Sequence, residues 1–261
     1  MGEELVNKHV FVTGAARGIG YGIAEQFAKA GSRITILDNN PENLEKASHE
    51  LSKITGAEVL AIQADVSDRS AVQKAVSQAE AKAPIDVLVN DAGVAYESSF
   101  LDISDEEWDK VLSINLKGMF IVSQEVLKHM VKRKAGIVIN MGSKNGLDGE
   151  WGYAHYNASK GGVIMLTKTL ALEFAHVGIR TNAVCPGYIE TPMSKEIDSP
   201  EFVNSFVDRY IPMNRPGNVE EIAKIFLFLA SDGSAFMNGQ TIIADGGQLA
   251  GQKPFPDKII R

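Results

Sequence analysis

Cysteine is nearly absent from this chain of 261 residues, where Cys185 stands alone. No intramolecular disulfide can form, which fits a reducing compartment. The thiol ends the apolar run Ile179 to Val184, a place that suits a buried structural cysteine better than a nucleophile. Long apolar runs are missing too: nowhere do eighteen apolar residues stand together, and Met1 to Lys8 carries charge without a stretch of signal-peptide length. Neither a membrane-spanning helix nor a secretory leader is expected, so the default location is the cytoplasm. The five histidines, His9, His49, His129, His155 and His176, fall in no metal-ligand spacing, and no metal site is expected. Positive charge is not in surplus either. A formal charge of −7 argues against nucleic acid or an anionic membrane as the main partner. There is no internal repeat, low-complexity tract or Pro/Ser-rich linker. With 44% hydrophobic residues the chain is long enough for one sizeable core and somewhat long for two, so residues 1–261 are expected to form one domain.

What is present is alternation. Apolar runs at His9–Thr13, Arg33–Asp38, Glu58–Ala64, Ile85–Asn90, Gly136–Met141, Gly178–Cys185 and Gln240–Ala244 read as strands. Helical stretches lie between them near Gly20–Ala30, Glu42–Ile54, Arg69–Ala81, Asp105–Arg133, Tyr156–His176 and Val219–Ala230. Strict alternation predicts an α/β protein: a Rossmann-type, doubly wound parallel sheet of about seven strands with helices on both faces. In such sheets ligands sit at the carboxyl ends of strands, where Gly14, Asp38, Asp65, Asn90, Ser143 and Pro186 all fall. Residues 190–216 lack clear alternation and are expected to form a lid. The tail 251–261 is expected to be disordered or packed on a neighbouring subunit.

The first strand runs into Thr13-Gly14-Ala15-Ala16-Arg17-Gly18-Ile19-Gly20 and then a helix. Glycines in that position permit a tight turn, close approach of a pyrophosphate, and a helix N-terminus open to an anion. A plain strand-to-helix connection has the same form. Asp38 ends the second strand, where a carboxylate accepts hydrogen bonds from an adenosine ribose and repels a 2′-phosphate, favouring NAD over NADP. Arg17 is the counter-indication, because a cation in the glycine turn suits that phosphate. Further on, Tyr156 and Lys160 are spaced to share one helix face, with Ser143 just past a strand. A phenol beside a fixed ammonium makes a proton-transfer group, and the serine would hold a carbonyl or hydroxyl oxygen. The same spacing also fits an ordinary pair on a solvated helix.

With the T-G-x-x-x-G-I-G turn, Ser143, Tyr156 and Lys160 in this order, the chain resembles the short-chain dehydrogenase/reductase family from about His9 to Gly247. The resemblance implies a catalytic tetrad of Ser143, Tyr156, Lys160 and Asn115: Tyr156 as acid/base, Lys160 lowering its pKa and binding the nicotinamide ribose, Ser143 orienting substrate. Asn115 would help hold a water linking the lysine to solvent. Cofactor contacts are implied at Gly14, Arg17, Gly18, Ile19, Gly20, Asp38, Asp65, Val66, Asn90, Ala92, Gly93, Tyr156, Lys160, Pro186, Gly187, Ile189 and Thr191. One motif departs from the family pattern N-N-A-G, reading Asn90-Asp91-Ala92-Gly93. Asp91 cannot donate amide hydrogen bonds, which puts a local support of the central sheet in doubt. The resemblance also implies a homotetramer joined through the two long helices, which sequence does not separate from a dimer.

The expected activity is NAD-linked interconversion of a secondary alcohol and a ketone. Around Ser143, the residues Asn145, Glu150, Trp151 and His155 would offer polar groups beside a flat aromatic face, suiting a sugar, polyol or other hydroxylated small molecule. Tyr188 and Met193 equally suit an apolar pocket, which keeps a 3-oxoacyl or other ketone reductase open. A non-catalytic dinucleotide-binding regulator is the reading from another class, and the intact Ser143, Tyr156 and Lys160 set speaks against it.

Overall fold

The computed structural model describes residues 3–56 and 59–252. Seven parallel strands form one sheet in the order β3-β2-β1-β4-β5-β6-β7. They are β1 (His9–Thr13), β2 (Arg33–Asp38), β3 (Leu60–Gln63), β4 (Val87–Asn90), β5 (Gly136–Met141), β6 (Ile179–Pro186) and β7 (Thr241–Ala244). The strands are parallel because a helical segment returns the chain to the same end of the sheet each time. Glu58, the expected start of β3, lies outside the described residues, as does most of the tail from 253 onward.

Both sheet faces are buried, and side-chain alternation sorts each strand between two cores. Val10 and Val12 of β1, with Val87 and Val89 of β4, pack on one side against α1 (Gly18–Lys29), α2 (Pro41–Thr55) and α9 (Val219–Ala230). Phe11 and Leu88 point the other way, towards α3 (Arg69–Lys82) and α5 (Met119–Arg133). A one-residue slip would exchange the two sets and leave neither core filled. Between α4 (Asp105–Leu112) and α5 the helix is not continuous as expected. Ser113–Gly118 forms a π-helical segment centred on Asn115. Such a widened turn re-aims side chains that a regular helix would place elsewhere.

The 190–216 stretch is also more regular than its composition suggests, holding α7 (Pro192–Ile197) and α8 (Pro200–Tyr210). Both begin with proline at the first helical position behind a hydroxyl cap. Thr191 accepts from Ser194 N at 3.2 Å and Ser199 from Phe202 N at 3.2 Å, and the fixed φ of proline suits that position. Thr191-Pro192 and Ser199-Pro200 were therefore start signals, not breaks.

A buried polar ladder ties strands to helices beneath the site. Asn90 Nδ2 donates to Ser123 Oγ and to Asn140 Oδ1, both at 2.9 Å, and Asn140 Nδ2 donates to Thr167 Oγ1 at 2.9 Å. It links β4, β5, α5 and α6 (Ala154–Phe174). Removing one member leaves buried partners unsatisfied. Asn140→Ala should lower the thermal unfolding midpoint by about 5 °C, as measured by calorimetry on the intact protein.

Candidate active site

The strand order reverses between β2 and β4 around β1, and this switch point opens a crevice at the carboxyl ends of β1 and β4. The two strand ends are tied by one hydroxyl: Thr13 Oγ1 accepts from Asp91 N at 3.1 Å and from Ala92 N at 3.2 Å. Gly14 follows at φ 68°, and a Cβ there would lie 2.7 Å from Ala92 Cα. Gly18, at φ 61°, has no protein atom within 4 Å of where its Cβ would be, and Gly20 is packed on the Gly14 carbonyl and on Asp91. These glycines serve different ends: Gly14 and Gly20 allow backbones to touch, while Gly18 keeps a space open.

Helix α1 begins at that space. Its N-cap, Arg17, makes no side-chain cap bond, whereas Asp68 caps α3 and Asn218 caps α9. The first-turn N–H groups of α1 are left for an anion, which is how a dinucleotide pyrophosphate is held. The residues present therefore fit a nicotinamide dinucleotide. A cavity of about 550 Å3 runs from this turn along the strand ends, lined by Arg17, Gly18, Ile19, Asp38, Asp65 and Val66 at one end and by Met141, Tyr156 and Lys160 at the other.

Asp38 Oδ2 accepts from Ala16 N at 3.1 Å and Oδ1 from Asn40 N at 3.0 Å, so its carboxylate is fixed at the edge of the glycine turn. Asp65 is held by Ser67, whose N and Oγ both donate to its Oδ1 at 2.8 and 2.7 Å. Ala92, Gly93 and Thr191 also line the cavity. Asn90 does not: its amide is turned into the sheet, on the ladder described above. Pro186, Gly187 and Ile189 are likewise not in its wall. Pro186 is buried at the end of β6, Gly187 is pressed on Asp245, and Ile189 packs in the core beside α9.

At the far end, Ser143 leaves β5, where its hydroxyl accepts from Asn145 N at 3.2 Å and lies close enough to the Tyr156 phenol on α6 to favour the phenolate. Lys160, one turn on, donates from Nζ to the Met141 carbonyl at 2.9 Å, and its ammonium is 5.6 Å from the Tyr156 ring centroid. Burial pushes Tyr156 up to about 12, opposed by the Ser143 hydroxyl, and negative charge on Asp91 adds to the rise. Burial also holds Lys160 below the usual lysine range, against the pull of Asp91. Asn115 braces this end from the π turn: Oδ1 accepts from Val94 N at 2.8 Å, and Nδ2 donates to Val94 O and Ser159 Oγ. Both Nδ2 hydrogens and one Oδ1 lone pair are thereby used within the protein.

Asp91 was singled out only as a departure, yet it lines the cavity. Its carboxylate lies against Gly20, and burial raises its pKa, opposed first by Lys160. The acceptor half of an amide's role is kept, and only the donor half is lost.

A family described as enoyl-(acyl carrier protein) reductase matches residues 14–248. The chain belongs to the short-chain dehydrogenase/reductase family. It is 41% identical over 252 residues to the oxidoreductase UcpA of Salmonella typhimurium, covering 94% of this chain and 95% of that one. It is also 41% identical over 244 residues to the 3-oxoacyl-[acyl-carrier-protein] reductase FabG of Thermotoga maritima, covering 93% and 98%. Galactitol 2-dehydrogenase (L-tagatose-forming) of Cereibacter sphaeroides is 39% identical over 239 residues, covering 90% and 92%. The crystal structure of levodione reductase superposes with a TM-score of 0.90 at 33% identity, covering 94% of this chain and 99% of that one. As a short-chain dehydrogenase/reductase the protein binds a nicotinamide dinucleotide and interconverts alcohols and ketones.

The positions expected to distinguish this family member's substrate are mostly engaged elsewhere. Trp151 is 80% exposed to solvent. Glu150 pairs with Lys144 Nζ at 2.8 Å, and Asn145 donates to Asn157 Oδ1 at 3.0 Å. His155, in the first turn of α6, is buried: its Nδ1 accepts from Tyr156 N, which leaves Nε2 to donate to Glu107 Oε1 at 2.9 Å. Tyr188 donates to Asp198 Oδ2 at 2.8 Å and stacks on Phe206, away from the cavity. Of the group, Met193 lines the cavity, alongside Val94, Ala95, Tyr96 and Ile197, which sequence spacing did not pick out.

The glycines separate two kinds of damage. Gly14→Ala should destabilise the free protein, because its Cβ meets backbone. Gly18→Ala should stay folded at a cost of about 1–2 kcal/mol for its φ, yet weaken NADH binding at least about tenfold. Thermal unfolding and NADH fluorescence titration of the two variants check this.

Proposed function

We propose that the protein is an NAD(H)-dependent dehydrogenase acting on a secondary alcohol, in reversible equilibrium with the ketone. Tyr156 and Lys160, lining one cavity that reaches back to Asp38 with Ser143 beside the phenol, are the observation that carries it. Bound NAD would supply the hydride acceptor. Ser143 orients the substrate oxygen and Tyr156, as phenolate, takes the hydroxyl proton. Lys160 places positive charge below the phenol and touches the nicotinamide ribose. NAD is preferred because Asp38 stands where a 2′-phosphate would meet a fixed negative charge.

Hydroxylated substrates such as polyols are supported by the likeness to a galactitol dehydrogenase. The outward turn of Trp151 and the inward turn of His155 remove part of the pocket argument for them. A ketone reductase is the alternative, favoured by the apolar wall of Val94, Ala95 and Met193. Residues 190–216 act as a lid, and the working unit is a cytoplasmic homotetramer.

Tyr156→Phe should cut kcat by about a thousandfold while the Kd for NADH changes little; substantial turnover in that variant would remove the acid/base role. Because burial raises the phenol's pKa, the phenolate fraction grows with pH. Alcohol oxidation should therefore accelerate from neutral to alkaline pH, and ketone reduction should show the opposite trend. A panel of polyols, hydroxy acids and ketones with NAD and NADP compares kcat/KM directly, and a clear preference for NADP would overturn the role given to Asp38.

A further inference from the structure

At the adenosine end of the cavity stands an ion pair for which hydride transfer has no use. Arg17 Nη1 in the glycine turn is 2.6 Å from Glu196 Oε1, and Nη2 is 3.5 Å from Oε2. The contact joins the turn to the lid helix α7, 179 residues apart in sequence. Both residues line the cavity. Among the lining residues only Arg17 and Lys160 are cationic, and Lys160 is buried with its ammonium on the Met141 carbonyl. Arg17 is thus the one lining cation within the glycine turn, on the same side as Asp38, whose carboxylate is fixed by Ala16 N next door.

We propose that Glu196 is a cofactor-specificity residue, which the lid carries onto the Arg17 guanidinium so that the cation is withheld from a 2′-phosphate. The proposal rests on the NAD reading above, since Asp38 and Glu196 then act in the same sense. A guanidinium presents its donors as a planar fork that matches a carboxylate or a phosphate, but the same edge cannot serve both. A dinucleotide phosphate would have to displace Glu196 and then sit near two carboxylates. Side-chain exposures of 47% and 59% keep the pair weak enough to open and close with the lid. Discrimination is therefore tied to closure: Arg17 is masked when α7 is down and free when α7 lifts.

Adenosine 2′,5′-bisphosphate and adenosine 5′-monophosphate differ by the one phosphate in question, and calorimetric titration of the intact protein gives both Kd values. Glu196→Gln should improve the ratio in favour of the bisphosphate by about tenfold. Adding Arg17→Ala should abolish that gain, and the NADP-to-NAD ratio of kcat/KM should move in parallel. An unchanged Kd ratio in Glu196→Gln, or a gain that survives loss of Arg17, overturns the proposal. Both side chains are at the surface, so the variants are expected to fold. A wild-type preference for NADP would count against the NAD reading alone, because the Glu196 effect is read as a change in ratio.

Discussion

Everything in the site depends on how closely the end of β1 approaches the end of β4. Thr13 Oγ1 accepts from two successive N–H groups there, and Gly14 lies so near Ala92 that a methyl group would strike backbone. That contact directs the glycine turn across the sheet end and starts α1 with its N–H groups facing the crevice. It also places Asp91 against Gly20, within electrostatic reach of Lys160. Loosening it would move the glycine turn and the charge environment of Lys160 together.

The charges around the cavity then divide by burial. Lys160 is buried and Tyr156 and Asp91 are half-buried in the cavity wall, and desolvation moves all three pKa values towards the neutral forms. Arg17 and Glu196 are half in solvent, where an ion pair is weak and easily exchanged. The proposed proton chemistry belongs with the first group, whose charges are the more strongly desolvated. Recognition of an incoming charged cofactor belongs with the second, which must be able to let go.

Much of the fold was legible because its signals are local. Strand runs, the glycine turn and the helix starts each depend on residues within a few positions of one another, and most boundaries lie within two residues of expectation. Where the sequence misled, a local signal was missing or ambiguous. Residues 190–216 show no clear alternation, and the helices there become legible once the hydroxyl caps before Pro192 and Pro200 are considered. The π turn at Asn115 has no composition of its own, since it arises where the helix must present that amide to Val94 and Ser159.

The chain by itself determined the parallel sheet, the dinucleotide turn and the identity of the Ser143, Tyr156 and Lys160 set, because spacing along strands and helices dictates which face a side chain takes. Only the tertiary structure decided where the neighbouring polar groups go. His155 and Asn90 could have faced a ligand, but the His155 ring and the Asn90 Nδ2 group find their partners inside the protein at Glu107, Ser123 and Asn140. The meeting of Arg17 with Glu196 is likewise written in no spacing, because it joins residues 179 positions apart that only the packing of α7 against the glycine turn brings together.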